Sequence, residues 1–180
     1  MAGHQAGPGP RVEVTEQLVE DSGRPGSDWL EQGLANLQAR TPAEWFQVMH
    51  EESGMFVASV GDAYDSSREL LVDRLLPEGA ADGYFVAVPG RVEVVVLPVT
   101  ARAIPHVHVM KVLAEKNHKN VPYPINSEVF WVRQGPWRPF PIEIRGQEVS
   151  VQPPPEFGEI LDRLAPPEEG GSESGETPPA

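Results

Sequence analysis

Gly61-Asp62-Ala-Tyr64-Asp65-Ser66-Ser67-Arg68 runs straight into Glu69-Leu70-Leu71-Val-Asp-Arg-Leu75-Leu76-Pro77, and the chain then reads Tyr84-Phe-Val-Ala-Val88-Pro89-Gly90-Arg91 followed by Val92-Glu-Val94-Val95-Val96-Leu97-Pro-Val99. Polar residues open the stretch, and leucines at 70, 71, 75 and 76 recur at helical spacing, so residues 66–76 are expected to form a helix with that stripe buried. Ser66 with Glu69 three residues on fits a capping box, and Asp62 or Asp65 offers the alternative cap. Pro77 and Gly79 end the helix. The apolar runs 83–88 and 91–99 flank Pro89-Gly90. Proline fixes φ at the second position of a type II turn and glycine accepts the positive φ of the third, so the pair predicts a hairpin turn. Val94-Val95-Val96-Leu97 is apolar on both faces, which marks a central strand covered on two sides.

Working outward, Val12, Val14, Leu18 and Val19 alternate loosely, and residues 11–19 are expected to form a first strand. Ser27 is placed to cap a helix carrying Trp29, Leu30, Leu34 and Leu37, which Thr41-Pro42 ends. Residues 45–50 and 55–60 read as a hairpin turned at Gly54. Pro105 suits the first turn of a third helix with Val109, Met110, Leu113 and Ala114 inside, and Val121-Pro122 forces extended chain after it. Strands are expected at 128–133, 137–144 and 147–152, then a last helix over 156–164 carrying Phe157, Ile160, Leu161 and Leu164. The order predicts an α+β domain: a mainly antiparallel sheet of about six to eight strands built from hairpins, with about three or four helices packed on it.

The 17 glycines and 20 prolines in 180 residues gather at the ends. Residues 1–11 and 166–180 hold almost nothing that can be buried, so they are expected to be a disordered leader and a disordered acidic tail around one domain over 12–165. Arg11 and the glutamates 168, 169, 173 and 176 carry the charge of the ends, which leaves −10 of the total −13 on the body. An acidic body repels phosphate backbones and anionic lipid, so neither nucleic acid nor membrane is an expected partner. The absence of cysteine removes disulfides, thiolate catalysis and zinc–thiolate sites. No apolar run approaches the ~20 residues of a membrane span and no leader pattern opens the chain, which fits a cytoplasmic protein.

Four groups of residues invite a functional reading. Asp62, Tyr64, Asp65 and Arg68 place two carboxylates, a phenol and a guanidinium at a helix start, which is material for acid, base and anion clamp. Capping, with Arg68 paired to an acidic neighbour, explains the same residues, and it is the preferred reading. His106 and His108, with His118 beyond, suggest a chelate, but side chains two apart on a helix diverge, so no metal and no cofactor is called for. Lys111, Lys116, His118 and Lys119 are basic residues that a helix C-terminus favours without any ligand. Phe130, Trp131, Trp137 and Phe140 cannot all face one way on a strand. One face fills the core, and Trp131 and Trp137 are the candidates for a partner-binding surface. Phosphate-binding loops, nucleophile elbows, dinucleotide fingerprints and His-Glu-x-x-His are all missing.

The motif Gly61-Asp62-Ala-Tyr64-Asp65-Ser-Ser67-Arg68, the helix after it and the hairpin ending near Val99 resemble the C-terminal part of a bacterial family known as domain of unknown function 1444. Weaker likeness extends through Thr15-Glu-Gln, through Val121-Pro122 and through residues 129–144. The family's N-terminal portion has no counterpart here beyond a Gly/Pro-rich leader. The resemblance implies a fold module and carries no activity to any residue. Two functions are therefore expected to compete. One is a non-enzymatic protein–protein interaction domain of adaptor, chaperone-like or immunity-like type. The other is a small-molecule-binding domain or hydrolase built around Asp62, Tyr64, Asp65 and Arg68.

Overall fold

Val94 and Val96 pack with one cluster of buried side chains and Val95 and Leu97 with another, so the doubly apolar run is the middle of a sheet covered on both faces. The computed structural model describes residues 13–62, 64–75, 80–133 and 135–165. The expected leader and tail, and the helix-stopping Pro77 and Gly79, lie outside them. Among the described residues the chain runs α1 (Glu16–Ser22), α2 (Gly26–Ala39), β1 (Gln47–His50), β2 (Met55–Ala58), α3 (Val72–Leu75), β3 (Tyr84–Gly90) and β4 (Glu93–Pro98). It continues through α4 (Val107–Asn120), β5 (Phe130–Val132), β6 (Arg138–Pro139), β7 (Ile142–Arg145), β8 (Glu148–Val151) and α5 (Gly158–Leu164). A 3-10 helix, Ser66–Leu71, leads into α3.

Every strand pairing is antiparallel. The main sheet has the order β1-β2-β4-β3-β5-β6, and β7-β8 is a separate hairpin, so the fold is α+β. One face of the main sheet buries Phe85, Val95, Leu97 and Trp131 against Met110 and Ala114 of α4, Phe157 just before α5 and Ile160 within it. Phe85, Phe140 and Phe157 meet at ring-centroid separations of 4.7–5.6 Å. The other face buries Tyr84, Val86, Val94 and Val96 beneath Phe46 and Val72.

Three local expectations are corrected. Residues 16–22 are helical rather than the later half of a strand: Thr15 Oγ1 accepts from Leu18 N at 3.2 Å, and Gly23 closes the helix at φ 64°. The β3–β4 turn falls on Arg91 and Val92, because Gly90 still pairs with Glu93. Pro89 and Gly90 have a tertiary role instead. Ile125 N and Asn126 N donate to the carbonyls of Pro89 and Val88, and a Cβ on Gly90 would stand 2.5 Å from Val121 Cγ2. The expected strand over 137–144 is two strands, broken where Phe140 N turns to the Val129 carbonyl. Gly54, at φ 72°, makes the predicted β1–β2 turn.

Candidate functional site

The 3-10 segment builds the candidate site through its own period. With three residues per turn, positions i, i+3 and i+6 eclipse. Asp65, Arg68 and Leu71 therefore share one face, and all three are 0% exposed. Tyr64, Ser67 and Leu70 share another, which faces outward, with Leu70 50% exposed. The expected leucine stripe is corrected accordingly: Leu71 is in the core and Leu70 is not. Leu76 lies outside the described residues, as does the side chain of Leu75.

Asp65 is not a helix cap. Its carboxylate accepts from Val60 N at 2.8 Å and Gly61 N at 2.6 Å, tying the end of β2 to the segment. Arg68 Nη1 donates to the same carboxylate at 2.8 Å and to Asp62 at 2.9 Å, while Nη2 reaches Asp62 at 2.6 Å. Asp62 also accepts from Tyr64 N at 2.9 Å, an Asx turn rather than a cap. The Trp45 ring covers the guanidinium at 4.8 Å. Hydrogen bonding to Arg68 holds the Asp62 carboxyl below its ordinary value of 3.8. The next residue, Glu69, is half-buried, and burial alone pushes its carboxyl up to about 7.

The cluster is closed, with one buried group left over: Arg68 Nε has no hydrogen-bond partner. Both carboxylates are committed to Arg68 and to backbone N–H groups, and the guanidinium is sealed from solvent. As an acid–base pair it offers no free oxygen, and as an anion clamp it has no open face. The arrangement is a latch that fixes the 3-10 segment against the sheet.

Tyr64 belongs to a different surface. Together with Ser67 and Leu70 it forms one wall of a groove of about 1020 Å³ whose other wall is α2. Trp29, Leu30, Leu34 and Leu37, the stripe read from the sequence, line it together with Gly33. The stripe is present but only partly covered: Trp29, Leu34 and Leu37 are half-buried. α2 buries none of its 14 residues, whereas α4, of equal length, buries Val107, Met110, Lys111 and Ala114. Leu30 is 60% exposed. Ser27 lies inside the helix without capping it, and Thr41 Oγ1 closes the other end on the Leu37 carbonyl at 2.8 Å.

The remaining candidates are placed elsewhere. Trp131 is in the core: its indole N–H donates to the Asp82 carbonyl at 2.8 Å and its ring meets Phe157 edge-on. Trp137 is half-buried against Phe130 on the opposite face. Lys111 is buried too, held by Glu128 at 2.9 Å and the Ser127 carbonyl, so it belongs to no surface patch. His118 Nδ1 lies 3.2 Å from the Pro89 carbonyl, and His106 stands against His50 at 5.0 Å. Among the described residues, no three metal-ligating side chains converge, and no helix is long and apolar enough to cross a membrane. No family model, curated protein or solved structure matches the chain. The groove escaped sequence reading because a helical apolar stripe signals a core face, and nothing local says that the face stays open.

Proposed function

We propose that the chain is a non-enzymatic protein–protein interaction domain and that the groove between α2 and the 3-10 segment is its docking surface. One observation carries the reading: a 14-residue helix presents a continuous apolar stripe, edged by exposed Leu30 and facing exposed Leu70, with none of its residues buried. An apolar stripe left partly open along a helix and rimmed by polar residues is the kind of surface that marks a partner site. The closed Asp62–Asp65–Arg68 latch weighs against the alternative of a hydrolase or ligand pocket at those residues, since both carboxylates are paired and the guanidinium is shut off from solvent. A cytoplasmic setting, no contact with nucleic acid or membrane, and kinship with the family of domain of unknown function 1444 complete the proposal. The acidic, cysteine-free composition supports the first two, and the Gly61–Arg68 motif with its following hairpin supports the third.

Affinity capture from the native host with the full chain and with Leu34→Asp tests this. The expected result is a stoichiometric partner retained by the parent and lost by the variant, with both proteins melting alike. A partner held equally by both would overturn the choice of surface.

A further inference from the structure

Resting on that reading, we propose that the groove receives an amphipathic helix of a partner protein, about fourteen residues long, apolar on one face and net basic on the other. Its form follows from the walls. Both are helical segments whose backbone N–H and C=O groups are largely committed within their own turns, so an extended peptide laid between them would find few partners for its own backbone. A helix satisfies its backbone internally and needs only apolar contact. Its length follows from the lining, which runs along α2 from Gly26 to Arg40, about 21 Å at 1.5 Å per residue. Its anchors are complementary to Leu30, Leu34, Leu37 and Leu70.

Its charge follows from the field around the groove. Residues 13–40 carry six carboxylates (Glu13, Glu16, Glu20, Asp21, Asp28 and Glu31) against two arginines. Arg24 is folded over the Trp29 ring at 4.6 Å, and Arg40 lines the groove as Glu13 does, so the negative excess comes from the carboxylates around the groove. On the opposite wall the latch sets two carboxylates against one guanidinium, with the Asp62 side chain 34% exposed. Arg74, which donates to Gln38 of α2 at 3.3 Å, adds one positive charge, so the net around the groove stays negative. A helix is about 10 Å across, so charges on the outer side of α2 lie within roughly a Debye length of the groove. A second copy of this chain would bring the same negative field and be repelled.

The test is a display library of random peptides of about sixteen residues, selected on the immobilised full chain and counter-selected on Leu34→Asp. The expected winners carry apolar residues at i, i+3, i+4 and i+7 with Lys or Arg on the remaining face. Their binding should weaken at least about tenfold between about 50 and about 500 mM salt. It should also weaken at least about thirtyfold on Leu34→Asp, the scale of a hot-spot loss. Winners that are neutral or acidic but lose binding on Leu34→Asp would overturn the basic helix and leave the groove standing. No winners, or winners indifferent to Leu34→Asp, would overturn both the helix and the groove. Light scattering of the full chain at rising concentration is the companion measurement. A dimer that Leu34→Asp dissolves would replace the basic partner with a second copy.

Discussion

Replacing Asp65 with alanine removes the acceptor on which three donors converge: the backbone N–H groups of Val60 and Gly61 and Arg68 Nη1. Asp65 and Arg68 are both fully buried, so no water takes the vacated place without rearrangement. Leaving a buried donor unsatisfied costs about 1–3 kcal/mol, and breaking a buried ion pair costs about 3–5 kcal/mol. Asp62 still neutralises Arg68 through two bonds, which sets the expectation at the lower end, about 3 kcal/mol. For a domain of this size that is a fall in Tm of about 6–12 °C. Asp62→Ala should cost about 1–2 kcal/mol, because Asp62 is partly exposed and water can replace it. Arg68→Ala should be the worst of the three, at or above about 4 kcal/mol, since it strands a buried carboxylate. Urea and thermal denaturation followed by circular dichroism measure the series. An Asp65→Ala loss under about 1 kcal/mol, or an Asp62 loss exceeding the Asp65 loss, would refute the latch.

Leu71→Ala should lose about 2–5 kcal/mol while Leu70→Ala stays within about 0.5 kcal/mol, and chemical denaturation of the pair reads out the 3-10 phase directly. Glu69 has a folded pKa raised to about 7 from 4.5, so the folded state binds more protons between those values and stability should fall as pH rises through that window. Melting curves from pH 4.5 to pH 8 should show that slope for the parent and a weaker one for Glu69→Gln. Asp62 has the opposite sign: its lowered pKa contributes stability that is present above pH 3.8 and lost as pH falls below it, so Asp62→Asn should flatten the acid limb of the same curves.

The parts of the fold set by local periodicity were legible in the sequence. The doubly apolar Val94–Leu97 run is a covered central strand, Gly54 turns its hairpin, and Met110 and Ala114 face the core as their spacing demands. What was not legible depends on contacts distant in the chain. Pro89-Gly90 carries the composition of a turn, yet glycine is required there because the Val121–Tyr123 backbone and side chains crowd it. A 3.6-residue period over residues 66–76 puts Leu70 and Leu71 on one stripe. The Asp65–Arg68 pair instead favours a three-residue period and splits them. Arg68 was legible as the partner of an acidic neighbour, but not as a fully buried residue held by two. Thr15 caps α1 although the valines before it alternate as a strand would.

The central claim is that the open face of α2 is where this protein meets its partner. The most direct measurement places the photo-crosslinking residue benzoyl-phenylalanine in the full chain, in place of Leu30 in one protein and of Val149 on the separate β7–β8 hairpin in another, and irradiates each in the native host. Both positions are exposed. The account predicts one covalent protein adduct at position 30 and none at position 149. An adduct at 149 alone, or at neither position, would contradict it.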